Sequence, residues 1–221
     1  LNRAQADAMV GRMLSGLAGR ECSALPNVPE VVALSAPQDQ RIAFDSAQAH
    51  VLMGQPGHKR TDPDFFPLMV GNYILGGGGF VSRLSAEVRE KRGLSYSVYS
   101  YFSPAMHAGA FTIGLQTRPD QAEQAVKVSR DVLAQFVSNG PTAAEVQAAK
   151  DFLINGFALR LDSNRKLLDN IANISWNNLP LNYLDTWTQQ IEKVTAADIK
   201  AAFARQLQPQ RMVTVVVGGA S

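Results

Sequence analysis

Arg89 and Tyr96 stand seven residues apart in the stretch REKRGLSYSV, on either side of a glycine. A guanidinium and a phenol both donate hydrogen bonds, so together they suit a carbonyl oxygen that gains negative charge. To act on one atom they need a chain reversal between them. The sequence offers one: Arg89 falls in the last turn of a helix, Gly93 closes that helix in the left-handed region, and Tyr96 opens the strand beyond. A plainer reading is also open. AEVREKR provides the i,i+4 pairs Arg83 with Glu87 and Glu87 with Lys91, an ordinary solvated face, and Tyr96, Tyr99 and Tyr101 are then ordinary strand aromatics.

Just upstream, Gly76, Gly77, Gly78 and Gly79 stand in a row. A phosphate-binding Walker loop fails on chemistry, because Gly71 and Gly76 have the spacing but Gly77 stands where lysine must be. A dinucleotide fingerprint fails as well: the sixth position from Gly76 is Val81, and a helix precedes the loop where a strand is required. Two readings remain. The run is either a flexible helix-to-helix connection or a stretch of bare backbone lying against a peptide or a partner chain.

Metal and nucleophile signals are weak. The histidines, His50, His58 and His107, form no i,i+4 pair, and no glutamate lies within five residues of any of them, so this chain is expected to hold no zinc of its own. GLSYS departs from a nucleophile elbow at Ser97, and Cys22 is a single thiol in a linker. No self-contained catalytic set is visible. One cysteine also excludes an internal disulfide or a thiolate cluster. With 21 basic against 19 acidic residues and no basic run, a nucleic-acid role is not expected. The longest apolar stretch, 65–81, is broken by Pro67, Asn72 and the glycines, which argues for a soluble chain without a membrane span. No signal peptide is visible at the N-terminus.

The elements that must position Arg89 and Tyr96 read as follows. Residues 4–18 have helical spacing, and GRECSALPNVPEVVALSAPQDQ reads as a linker, so residues 1–37 are expected to be the end of a preceding domain and its join to a domain at 38–221. Residues 41–54 alternate as one long or two short strands. A helix starts with Asp62 as N-cap and Pro63 at its first position, and Gly76 closes it. Ser82 caps the next helix. LSYSVYSYFS and AGAFTIGLQT form a hairpin joined by a short turn, and a helix then runs to Gly140. The capping box Thr142 to Glu145 opens a helix to about Leu161. Helices near 164–177, 181–193 and 196–206 precede a buried strand, RMVTVVVGG. Few strands are separated by single helices, so the expected class is α+β: a largely antiparallel sheet with helices on one face.

The stretch LGGGGFVSRLSAEVREKRGLSYSV resembles the signature of the second half of pitrilysin/insulinase-type zinc metallopeptidases, the inverzincins, which include the mitochondrial processing peptidase. The similarity runs from about Gln40 to Val217. It implies two similar α+β halves, one carrying H-x-x-E-H and its zinc, the other metal-free and supplying an arginine and a tyrosine seven residues apart. This chain contains no H-x-x-E-H and so resembles the metal-free half. By this resemblance Arg89 and Tyr96 stabilise a substrate carbonyl in trans, and Gly76 to Gly79 line the substrate chamber. It also implies zinc in the partner half, a peptide substrate, a dimeric full assembly and a bacterial periplasmic setting. Two alternatives stay open: an inactive structural subunit akin to respiratory core proteins, and a peptide-binding module that uses an exposed strand edge.

Overall fold

The computed structural model of the chain describes residues 2–17, 19, 24 and 26–219. Five strands form one sheet in the order β1 (Gln38–Ile42), β5 (Val213–Val217), β2 (Ala49–Pro56), β4 (Ala110–Thr117), β3 (Val98–Phe102). Among the described strands of this sheet only the β1–β5 pairing is parallel. The stretch expected to hold one strand or two makes two, and they lie on either side of the terminal strand. Among the described residues seven α-helices accompany the sheet: α1 (Arg3–Leu14), α2 (Phe65–Asn72), α3 (Ala122–Asn139), α4 (Ala143–Asn155), α5 (Asn164–Trp176), α6 (Tyr183–Lys193) and α7 (Ala196–Gln206).

The period of two along the strands decides which face meets the helices. Ala49, Val51 and Met53 of β2 lie opposite Thr117, Leu115 and Ile113 of β4, and all six are buried. Val98 and Ser100 of β3, and Thr214 and Val216 of β5, extend the same row. Leu52, Tyr99 and Tyr101 point the other way and are exposed. The sheet is therefore helix-packed on one side and bare on the other, the α+β arrangement expected. Phe111, Phe136 and Phe203 are fully buried; Phe102 joins Phe111 to Phe203, and Phe203 meets Phe136, with ring separations of 4.7 to 5.9 Å. Removing each such ring from water stabilises the fold by about 1.5–3 kcal/mol.

Several boundaries differ from the sequence reading. Helix α2 begins at Phe65, two residues late, because the Asp62 carboxylate accepts from the Asp64 amide in a local turn and does not cap the helix. Gly76 does not end α2. The helix continues through a π-helical turn, Tyr73–Gly77, in which Gly76 is buried. Helix α4 stops at Asn155, and only a short 3-10 turn, Ala158–Arg160, covers the rest of the expected length. The hairpin joining β3 to β4 uses a seven-residue loop, 103–109, where a short turn was expected.

Two helices contribute almost nothing to the core. None of the residues in α1 is buried, and in α5 only Ile174 is. Met9, Met13 and Leu14 of α1 face solvent, as do Leu168 and Ile171 of α5. The segment after α1 touches the domain at Glu30, whose carboxylate meets Lys59 Nζ at 2.5 Å and His107 Nδ1 at 3.0 Å and accepts from the Ala108 amide at 3.3 Å. The Lys59 bond first, then His107, pull its acid strength to a pKa of about 2.

Candidate functional site

The site is built on the edge of the sheet at β3. Gly76 packs directly against this strand. A Cβ at Gly76 would lie 2.6 Å from the Ser100 amide nitrogen, 2.4 Å from Ser100 Oγ and 2.8 Å from Leu84 Cδ1, so only glycine fits. Beside it Asn72 Nδ2 donates to the Ser100 carbonyl at 3.0 Å, and the Ser100 hydroxyl donates back to Asn72 Oδ1 at 2.7 Å. The outer edge of β3 is thus closed at Ser100, which removes this edge from strand-addition binding there. The outer edge of β1 pairs with no described strand.

From Gly76 the glycine run leads outward. Gly78 returns to Tyr73 through an amide-to-carbonyl bond of 2.8 Å. Gly79 then takes φ +60°, where an L side chain is strained, and starts a 3-10 turn, Gly79–Val81. Ser82 closes the turn, its hydroxyl and amide donating to the Gly79 carbonyl at 2.7 and 3.1 Å. The same hydroxyl accepts from the Ser85 amide at 3.4 Å, the capping role the sequence suggests. The turn leaves Phe80 with 69% of its surface exposed. Of the four glycines, Gly76 is buried, Gly78 is half-buried against Tyr73, and Gly77 and Gly79 present backbone to solvent.

The helix that follows is π-helical over Ser85–Glu90, with Arg89 in its last turn. It is anchored by Arg83, which forks onto both oxygens of Glu145 at 2.7 Å, and not onto Glu87 as the spacing suggested. Glu87 instead meets Lys91 and Arg92, each at 2.6 Å. Gly93 closes the helix at φ +61° as expected, with the Gly93 amide on Arg89 O and the Leu94 amide on Val88 O. Tyr96 does not open the strand. It sits in a bend before β3, held by Ser95, whose hydroxyl lies 2.7 Å from the Ser97 carbonyl and 2.6 Å from that of Gln116. Two hydrogen-bonded residues thus flank a tyrosine whose own ring is 81% exposed.

This geometry brings the two sequence-predicted residues together. The Arg89 guanidinium carbon lies 4.9 Å from the Tyr96 ring centroid, over its face. It also lies over Phe80, closer still, at 4.2 Å. Each contact of this kind at an exposed site contributes about 0.5–1 kcal/mol. The side chain keeps 25% exposure, and its ion-pair partner is Glu90 at 3.5 Å. Phe80 went unread in the sequence, where it falls inside the apolar stretch 65–81. The available signal was an aromatic residue between a glycine run and a capping serine, where no core position is expected.

On the bare sheet face, one residue from Tyr96, a cavity of about 200 Å³ is lined by Ser97, His50, Leu52, Tyr99 and Gln116. The histidines do not converge. His50 is exposed on β2. His58 is buried, its Nδ1 2.9 Å from the Lys59 carbonyl and its ring against Phe102, and burial lowers its pKa. His107 sits in the β3–β4 loop on Glu30. Among the described residues no group of three or more His, Cys, Asp or Glu could hold a metal, so these residues do not fit a zinc site. Cys22 lies outside the described residues. No described helix is long and apolar enough to cross a membrane.

Comparison with known proteins gives a consistent picture. The family profile described as the peptidase M16 inactive domain matches residues 1–153. An uncharacterized zinc protease of Streptomyces coelicolor is 36% identical over 179 residues, which is 80% of this chain and 38% of that protein. A relative in Helicobacter pylori, described as a non-peptidase homolog, is 35% identical over 70% of this chain and 36% of its own length. Among solved structures, a peptidase M16 inactive domain from Pseudomonas fluorescens superposes with a TM-score of 0.90 at 37% identity, covering 100% of this chain and 52% of that one. The chain therefore spans about two fifths of the length of these curated relatives.

Proposed function

Because this chain belongs to the M16 peptidase family, as its inactive domain, we propose that it is the metal-free half of a zinc endopeptidase and presents Arg89 and Tyr96 to a peptide held against a zinc-bearing half. The observation that carries this is the convergence of the two donors: Arg89 lies over Tyr96 at 4.9 Å, and no hydrogen bond among the described residues occupies the phenol. In that role the phenol and guanidinium donate to the scissile carbonyl oxygen as it gains charge, and the guanidinium also holds the peptide. Gly77 and Gly79 offer backbone to the same peptide, while Gly76 and Gly78 serve to place them. The cavity beside Ser97 has room for one peptide side chain.

The zinc, with its H-x-x-E-H ligands, belongs to the partner half in this reading. Residues 1–37 are the end of that half and the join, in keeping with an α1 that buries nothing here. In this proposal the full assembly is a dimer, and the periplasm is the compartment suggested by resemblance. A second reading, an inactive structural subunit, draws on the relative described as a non-peptidase homolog. The exposed, paired donors favour the first.

The test is a double-mutant cycle in the assembly with the zinc-bearing half. Tyr96→Phe and Arg89→Ala should each lower kcat/KM by roughly 10–100-fold, below the 10²–10³ of an enclosed donor because water reaches this site. The double variant should lose less than the product of the single losses, since both groups serve one oxygen. Zinc content should stay unchanged. Full kcat/KM in both single variants would remove Arg89 and Tyr96 from the mechanism.

A further inference from the structure

We infer that Phe80 is a positioning residue for Arg89, and that the glycine turn exists in good part to carry this ring to the guanidinium. The inference rests on the role proposed above for Arg89. An arginine at the end of a helix has many rotamers, and its charged neighbour Glu90 sits beside it on the same turn, with 58% of that side chain in solvent. Left to itself, the guanidinium would divide its time between Glu90 and water. No hydrogen bond from the guanidinium to a described residue fixes it. Of the two rings it lies over, Phe80 is the nearer, 4.2 Å from the guanidinium carbon, with the Tyr96 ring farther at 4.9 Å. A cation over an aromatic face keeps its N–H edges outward and free, which is the state a peptide carbonyl needs to meet.

Phe80 has no other evident purpose. It is large, apolar and 69% exposed, so it adds little to the core. Its place depends on several local devices in the turn that precedes the Arg89 helix. Gly79 takes the left-handed φ of +60°, the Ser82 hydroxyl and amide close the turn onto the Gly79 carbonyl, and the Gly78 amide ties back to Tyr73. Space around Gly79 is open, since a Cβ there would meet nothing within 4 Å. Its glycine is therefore explained by the turn it makes, a turn that both starts the Arg89 helix through Ser82 and delivers the ring. A ring at this position sets the guanidinium before substrate arrives, and so removes part of the cost of ordering it on binding.

The experiment compares Phe80→Leu with Phe80→Tyr and Phe80→Trp in the same assembly, beside Arg89→Ala. Leucine keeps bulk without a π face. It should lower kcat/KM roughly 2–5-fold, the factor equal to one exposed cation–π contact, mainly through KM, while tyrosine and tryptophan restore the wild-type value. In NMR spectra the upfield ring-current shift of the Arg89 Cδ protons should shrink in Phe80→Leu and persist in the two aromatic variants. Thermal stability should hardly change, because the ring is exposed. If Phe80→Leu keeps both the shift and full kcat/KM while Arg89→Ala loses activity, Phe80 does not position Arg89 and the proposed function stands without it. If Arg89→Ala itself keeps full kcat/KM, the proposed function fails, and this inference fails with it.

Discussion

The pairing of Tyr96 with Arg89 was half legible: the helix end and the left-handed Gly93 were read correctly and bring the two side chains together. Tyr96, however, sits in a bend before β3, and spacing alone left an ordinary solvated face equally open, so the role came from the resemblance. Phe80 was not legible, since hydropathy reads a phenylalanine beside Val81 as core, and only the φ of Gly79 turns it outward. The glycines were read as a set, but they divide by what a methyl group would meet. At Gly76 the obstacle is the Ser100 amide on a sheet strand, which cannot step aside. Gly76→Ala should therefore destabilise the chain by about 1–3 kcal/mol, the usual range for forced overpacking. It should also loosen the Asn72–Ser100 bonds at the β3 edge. Urea denaturation would measure it, and an unchanged midpoint would mean that the strand accommodates the methyl and that Gly76 is conformational.

At the scale of elements, the capped helices were the readable part. The Thr142–Glu145 box is present with both reciprocal bonds, because a threonine hydroxyl and a carboxylate three residues on satisfy two orphan amides wherever the helix lies. The two π-helical turns were unreadable, for i to i+5 bonding has no propensity signature. Glu145 is where these layers join. It caps α4 and also receives the Arg83 fork that anchors the Arg89 helix. The Arg83 bonds first, and the Thr142 bonds after, hold its pKa at about 2 against an ordinary 4.5. A depressed folded pKa means the stabilisation is complete above roughly pH 5 and is lost as the pH falls toward 2. Glu145→Gln should cost roughly 2 kcal/mol at pH 7, after discounting for solvent screening, and flatten the acid limb of the stability curve. Thermal melts at pH 7 and pH 3 would show this as a difference between wild type and variant that narrows at pH 3. An equal difference at both values would assign the loss to the cap geometry alone.

For the whole molecule, the fold class followed from strand alternation and from the scarcity of single helices between strands. The sequence could not reveal how much is left uncovered. The sheet has one bare face carrying Leu52, Tyr99 and Tyr101, and α1 and α5 leave apolar side chains in water. In the proposed function this apolar surface is what a second half would cover. The proposed function has Arg89 and Tyr96 work only with a zinc-bearing half. The direct measurement is zinc content and peptide hydrolysis of the chain alone, and again after a stoichiometric H-x-x-E-H half is added. The account predicts no stoichiometric zinc and no hydrolysis alone, then one zinc per pair and activity that saturates at one half per chain. Tight one-to-one zinc in the isolated chain, or hydrolysis by it without a partner, would contradict the account.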